Sequence, residues 1–307
     1  MIKVGMIGIN EGNGHPYSFS CIINGFNNKG LRDCGWDVIY NYIRQQDDVD
    51  LGIDDVQVTH IWTQNLVETN KIARAANIPN VVNDYLDMIG EVDALIIARD
   101  DSENHYEMAR PFLENGCFVF IDKPLSLDIG ELRYFKKYLQ QGRLMSCSGM
   151  RYASELDYFR ANINDYEEIK LIRGAVINNL DKYGIHMLEA IYGTLPFNVK
   201  SIKCNPSSKI ESLTLINTDG TSIQLDALGD TVKTFQLDIF GSNGRFHVEL
   251  NNNFVAFRRT LLHFFQMVRT REPVIKPSLT ISIMKVLIGY KISKENNKSV
   301  QIEDIDV

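Results

Sequence analysis

Residues 2–8 (IKVGMIG) form a continuous apolar run that halts at glycine, the mark of a buried strand feeding a turn. A Gly/Asn/Pro segment, residues 9–16, follows as a loop, and residues 17–26 read as helix. Residues 27–55 are polar and broken by Gly30, Gly35 and the acids Asp47, Asp48 and Asp50, so they read as an insertion. Regularity then returns. Residues 56–62 (VQVTHIW) predict a strand, 66–76 a helix, Val81 and Val82 a short strand, and 93–98 (DALIIA) a strong one. Helix is expected over 103–115, bent at Pro111, and strand over 117–121 (CFVFI). Strands apolar on both faces, alternating with helices, predict a parallel sheet covered on both sides.

The texture changes after residue 124. A helix is expected over 127–141 and strands over 144–149 and 170–177. Then Leu213/Leu215, Ile223/Leu225/Ala227 and Phe235/Leu237/Ile239 alternate with polar residues, the period of an antiparallel sheet with one buried face. Phe257, Leu261, Phe264, Phe265 and Val268 recur at helical spacing. So do Leu279, Ile283, Val286, Leu287 and Tyr290, behind Pro277 and a candidate cap at Ser278. The expected division is a first domain over 1–124, with 27–55 inserted, and a second over 125–307.

Composition narrows the function classes. The 307 residues suffice for two cores, and 44% hydrophobic with 23% charged residues is ordinary for a globular chain. Net charge is −7 with no long basic block, which argues against a nucleic-acid partner. Cys21, Cys34, Cys117, Cys147 and Cys204 form no CxxC pair and read as reduced thiols of a cytoplasmic protein. No zinc-ligand spacing occurs, so no metal is expected. The apolar N-terminal run is too short for a signal core or a membrane span.

Five segments carry candidate chemistry. The loop Gly8-Ile9-Asn10-Glu11-Gly12-Asn13-Gly14-His15-Pro16 joins the first strand to the first helix, where backbone N–H groups can cradle a pyrophosphate. Asn10 and Asn13 stand where the second and third glycines of GxGxxG belong, so the loop reads either as a dinucleotide cradle or as a plain tight turn. Gly8, Asn10, Gly12, Asn13, Gly14 and His15 are its candidate cofactor residues. The residue ending the second strand usually chooses between NAD and NADP, but Thr63 and Gln64 are uncharged and make no choice. Arg99, Asp100 and His105 follow the strong strand as ligand contacts, or as a solvated loop capped at Asp101 or Ser102. Lys123-Pro124 stands at the carboxyl edge of the next strand, where proline restricts Lys123 to extended geometry and permits a cis bond. Asp181-Lys182-Tyr183-Gly184-Ile185-His186 opens a helix. By itself that histidine is a capped or core residue; beside a lysine it becomes a proton carrier for hydride chemistry on an alcohol.

These motifs, in this order, resemble the Gfo/Idh/MocA family of glucose-fructose oxidoreductases and inositol dehydrogenases. Residues 92–126 resemble its strand, polar loop, helix, strand and Glu-Lys-Pro, with Asp122-Lys123-Pro124 here. Ser148-Gly149-Met150-Arg151 and Phe240-Gly241-Ser242-Asn243-Gly244 resemble two later family features. The resemblance implies an α/β chain: an N-terminal Rossmann doubly wound parallel sheet and a C-terminal α/β domain with a largely antiparallel open sheet. It implies hydride exchange between NAD or NADP and a sugar, sugar acid, nucleotide-linked sugar or cyclitol, and assembly as a homodimer or homotetramer. Lys123 would stabilise the reacting oxygen. His186 would pass the proton, and Arg151, Asp181, Lys182 and Tyr183 would contact substrate. The chain departs from the family at Lys182, where an aspartate usually stands four residues before the histidine, and in its glycine loop. Those departures keep two alternatives open: a redox-inactive sugar- or nucleotide-binding protein, and a lyase or glycosidase using bound NAD transiently.

Overall fold

The computed structural model describes the chain apart from residues 196 and 208 and the Asp48 side chain. It divides into two compact units, residues 1–147 with 257–277 and residues 148–256 with 278–307.

In the first unit β1 (Ile2–Ile7) leads through a loop to α1 (His15–Asn24). Two short helices follow, α2 (Asn28–Arg32) and α3 (Asp37–Ile43). Next come β2 (Val56–Trp62), α4 (Leu66–Ala75), β3 (Asn80–Val81) and β4 (Ala94–Ile97). Then α5 (His105–Glu114), β5 (Phe118–Ile121), α6 (Ile129–Gln140) and β6 (Leu144–Ser146) complete the alternation. The sheet order is β3-β2-β1-β4-β5-β6, with every pairing parallel. Strand order reverses between β1 and β4, so the loops leaving those strands flank a crevice where such sheets bind ligands. All four residues of β4 are buried, as a central parallel strand requires.

Two expectations are corrected here. The first sheet extends to β6, so the first unit runs past residue 124 to Cys147 and also takes in residues 257–277. Residues 27–55 are only partly irregular: α2 and α3 are helical, Leu31, Ile39 and Ile43 are buried, α2 packs on α4, and α3 packs on α1. Helices of one to two turns show too few periods for the pattern to be read.

The second unit contains α7 (Asp157–Ala161), β7 (Ile169–Val176), α8 (Leu180–Tyr192), β8 (Val199–Pro206) and β9 (Glu211–Asn217). It continues with β10 (Ser222–Ala227), β11 (Phe235–Gly241) and β12 (Arg245–Glu249). After α9 (Asn253–Thr270) come α10 (Pro277–Asn296) and β13 (Val300–Gln301). Its sheet runs β12-β11-β7-β10-β9-β8-β13, antiparallel except for the β7–β10 pair. Burial alternates along β9, β10 and β11, so one face holds the core. The glycine of Phe240-Gly241 is dictated by packing, because a Cβ there would stand 2.1 Å from the Tyr166 carbonyl oxygen. From Phe257 onward α9 belongs to the first unit, where Phe264 meets Phe120 of β5 at 5.7 Å between centroids. Helix α10 begins at Pro277, which places Ser278 inside it and not at its cap. Among the described residues no helix is long and apolar enough to cross a membrane.

Candidate active site

The first-unit site is assembled from the loops that follow β1, β4 and β5. Three glycines shape the β1–α1 loop: Gly8 at the first standard position, and Gly12 and Gly14 off the standard spacing. A Cβ on Gly8 would stand 2.3 Å from Pro16, and one on Gly14 2.5 Å from Ile39 and 2.8 Å from the Trp36 ring. Gly12 has φ +75°, which a residue with a side chain rarely adopts.

The two asparagines in place of glycines act as pins. Asn10 Oδ1 accepts the Asp100 N–H at 3.1 Å, while its Nδ2 donates to Asp100 Oδ1 at 2.5 Å. Asn13 Oδ1 accepts the His15 N–H at 2.8 Å, and its Nδ2 donates to Asp122 Oδ2 at 3.0 Å. The His15 ring adds a contact of 2.5 Å from Nδ1 to the same Asp122 oxygen and lies between Phe19 and Phe257. The loop is thereby fastened to the ends of β4 and β5. At its tip, Glu11 and Gly12 are exposed, and their N–H groups have no hydrogen-bond partner among the described residues. Exposed backbone donors, a bare Gly12 and an Asn10 side chain engaged by Asp100 fit the pyrophosphate of a dinucleotide.

Lys123 stands at the end of β5 before a cis peptide to Pro124. Its Nζ donates to Asp100 Oδ2 at 3.1 Å, and both side chains are buried. Its backbone N–H donates to Asp122 Oδ1 at 2.9 Å. Burial alone would raise the pKa of Asp122. The charge and hydrogen bond of His15, then Lys123 and Asn13, outweigh burial and hold that carboxyl well below the usual range. Asp100 follows the same pattern: burial raises it, and Lys123 and Asn10 bring it down overall. One ammonium and two ionised carboxylates thus share a largely buried site, each with hydrogen bonds as well as charge partners.

Several expected ligand contacts are engaged in holding the scaffold. Arg99 clamps Asp101 through Nε at 2.9 Å and through its second terminal nitrogen, and reaches Gln64 at 3.0 Å and the Ile9 carbonyl at 3.1 Å. Asp101 therefore pairs with Arg99 and receives the Asn104 amide at 2.7 Å. His105 is fully buried, with Nδ1 on the Leu125 carbonyl at 3.1 Å and Nε2 on the Arg99 carbonyl at 3.0 Å. It braces the loop after β4 against the loop after β5. Thr63 turns its hydroxyl inward to Asn65 and Thr69, both at 2.8 Å. Gln64 pairs with the Ile9 backbone.

The second-unit site begins at α8, capped by Asn179, whose Oδ1 accepts the Lys182 N–H at 2.9 Å. His186 is half-buried on the second turn of this helix. Its Nδ1 is 2.6 Å from the Ser148 hydroxyl, and its ring meets Tyr183 at 5.9 Å and Phe235 edge-on at 5.7 Å. Tyr183 thus stands beside the histidine, and Lys182 is exposed. Asp181 faces away from them: its carboxylate takes the Lys294 ammonium at 2.9 Å and the Tyr290 hydroxyl at 3.0 Å. Arg151 is buried, and its Nε pairs with the Glu189 carboxylate at 2.5 Å. Ser148 and Asp122 belong to motifs visible in the sequence, but their partners lie 38 and 107 residues away. No local spacing reveals such pairs.

The model of the Gfo/Idh/MocA oxidoreductase family, with its NAD-binding Rossmann fold, matches residues 34–147. The family resemblance read from the sequence is borne out by that match, and the matched family is NAD-binding, in agreement with the expected nicotinamide dinucleotide. No curated protein matches the chain. Among solved structures, scyllo-inositol dehydrogenase from Lactobacillus casei with bound NAD(H) and scyllo-inositol is similar at TM-score 0.78 and 15% identity, covering 99% of each chain. Myo-inositol 2-dehydrogenase from Lactobacillus plantarum is similar at TM-score 0.77 and 16% identity, covering 98% of this chain and 99% of its own. A probable dehydrogenase from Thermotoga maritima is similar at TM-score 0.78 and 14% identity, covering 99% of this chain and 100% of its own. At these identities the likeness establishes the fold, a parallel Rossmann sheet and a second, largely antiparallel sheet.

Proposed function

We propose that the protein is an NAD(P)-dependent dehydrogenase exchanging hydride with a hydroxyl or keto carbon of a cyclitol or similar polyol. The observation that carries this reading is the buried Lys123, held by Asp100 at the carboxyl edge of a parallel sheet beside a loop with free backbone donors. Such an ammonium keeps two further N–H donors for an oxygen that gains negative charge during reaction. The similar inositol dehydrogenases support a cyclitol or sugar as the substrate class.

The nicotinamide, when bound, supplies the two-electron hydride exchange. The loop N–H groups of Glu11 and Gly12 hold the pyrophosphate. Lys123 hydrogen-bonds the reacting oxygen. His186, with Nδ1 on Ser148, takes the hydroxyl proton at Nε2 in oxidation and returns it in reduction. Tyr183 and Lys182 contact the remaining hydroxyls.

The test is a panel of cyclitols and sugars with NAD and with NADP, followed by absorbance of the reduced nicotinamide. Lys123→Ala is expected to lower kcat by roughly 10²–10³-fold. His186→Asn is expected to lower it by roughly 10²–10⁴-fold. Both variants should retain dinucleotide binding. Wild-type turnover in both variants would overturn the assigned roles. Dinucleotide binding without turnover on any substrate would favour a redox-inactive binding protein instead.

A further inference from the structure

In a Rossmann sheet the choice between NAD and NADP is made at the end of the second strand, where a carboxylate takes the ribose hydroxyls or an arginine takes the 2′-phosphate. Neither kind of residue follows β2 here: Thr63 is turned inward and Gln64 is uncharged. Glu68, in the first turn of α4, is engaged by the Tyr17 hydroxyl at 2.8 Å and by Lys71 at 3.2 Å. A cation nevertheless reaches this place from another strand. Arg99 leaves the end of β4, and its Nη1 donates to Gln64 Oε1 at 3.0 Å and to the carbonyl of Ile9, in the glycine loop, at 3.1 Å. The guanidinium thus bridges the loop after β1 and the residues after β2. It does not arrive as a free charge. Nε donates to Asp101 Oδ1 at 2.9 Å, Nη2 donates to Asp101 Oδ2, and both side chains are largely buried. These contacts take four of the five N–H groups of the guanidinium. Asp101 is fixed in turn by the Asn104 amide at 2.7 Å.

We propose that Arg99 and Asp101 are the specificity-determining pair for the cofactor, Asp101 locking the guanidinium that a 2′-phosphate would need, so that the site takes NAD in preference to NADP. The inference rests on the dinucleotide reading above. A phosphate monoester brings about two negative charges. To bind the guanidinium it must displace Asp101 from a two-pronged pair and leave that carboxylate, 18% exposed, without its cation. If Asp101 stays in place, the phosphate meets a pair with no net charge and a carboxylate that repels it. The 2′-hydroxyl of NAD is neutral and brings neither conflict. Selectivity then comes from a penalty on the wrong cofactor, and needs no carboxylate on the ribose of the right one.

The test titrates the full-length protein with NADH and with NADPH, read by the fluorescence of the reduced nicotinamide, so that no substrate is required. Wild type is expected to bind NADH more tightly, by roughly tenfold or more. Asp101→Asn unlocks the guanidinium and should move the ratio of the two affinities roughly tenfold toward NADPH, a gain that weakens at high salt. Arg99→Met combined with Asp101→Asn should lose that gain, because the gain comes from Arg99. Gln64→Lys leaves the Arg99–Asp101 pair in place and adds an unlocked cation beside it. It should also favour NADPH, and it decides the location of the 2′-phosphate even if Asp101→Asn fails to fold. A wild type that prefers NADPH overturns the proposal, as does an unmoved ratio in folded Asp101→Asn or in Gln64→Lys. If both dinucleotides bind and the ratio never moves, the pair is not the discriminator and the dinucleotide reading stands. If neither binds to the wild type, the dinucleotide reading falls and this inference with it.

Discussion

Lys123 and His186 are held by opposite means. Lys123 is caged by charge: Asp100 on its ammonium, Asp122 on its backbone, and three loop side chains gripping those carboxylates. His186 faces a serine hydroxyl and two aromatic rings. The contrast fits the roles proposed for the two groups. A buried ammonium that stays charged requires a carboxylate to offset its lost hydration. An imidazole that gains and loses a proton is better served by a neutral partner that fits both states. The cage has a second consequence. Because Asn10, Asn13 and His15 reach from the β1–α1 loop, the same bonds that fix Lys123 also fix the loop proposed to hold the dinucleotide.

The comparison can be broken most directly at Asp100. Asp100→Ala leaves a buried ammonium without its carboxylate and should destabilise the first unit by about 3–5 kcal/mol. Both tryptophans, Trp36 and Trp62, lie in that unit, so denaturant unfolding followed by tryptophan fluorescence reads this loss separately from the second unit. A loss near that of an ordinary surface substitution would mean that the cage is not electrostatic.

Asn10→Gly sharpens the comparison at an intermediate scale. It restores a glycine to the standard spacing yet removes two hydrogen bonds to Asp100. The expected cost is about 1–3 kcal/mol in stability, with weaker dinucleotide binding by fluorescence titration. Tighter binding in this variant would show that the asparagine obstructs the loop instead of pinning it.

The smallest effect is the pH dependence. Asp122 has its pKa depressed in the folded chain, so its contribution is complete above the ordinary carboxylate range and is lost as pH falls through the folded value. The stability gap between wild type and Asp122→Asn should therefore narrow on acidification, on the order of 1 kcal/mol between about pH 5 and about pH 3. Calorimetric scans across that window measure it. A gap that is constant with pH would mean that the Asp122 charge contributes nothing to the cage.

Much of this was legible in the chain itself. Apolar runs ending at Gly8, Ala98 and Asp122 mark β1, β4 and β5, and the two-residue period of β9 to β11 marks the second sheet. Lys123-Pro124 stood out because a proline directly after a buried strand stops the ladder and fixes the backbone of the lysine before it. The short helices α2 and α3 escaped because five and seven residues give no readable period. His105, Arg99 and Thr63 looked like ligand contacts because polar residues at strand ends often are. Only packing shows that carbonyls and neighbouring side chains already satisfy them.

The amino-acid order alone determined the strands, the longer helices and the loops that follow them, because these depend on periodicity within a few residues. It also singled out Lys123 at the end of β5 and His186 in the second turn of α8. Which partner each polar group takes was decided only by the tertiary structure. Asn10 finds Asp100 across 90 residues, His15 finds Asp122 across 107, and Ser148 finds His186 across 38. A buried hydrogen bond depends on distance in space, and that distance is set when the sheets form.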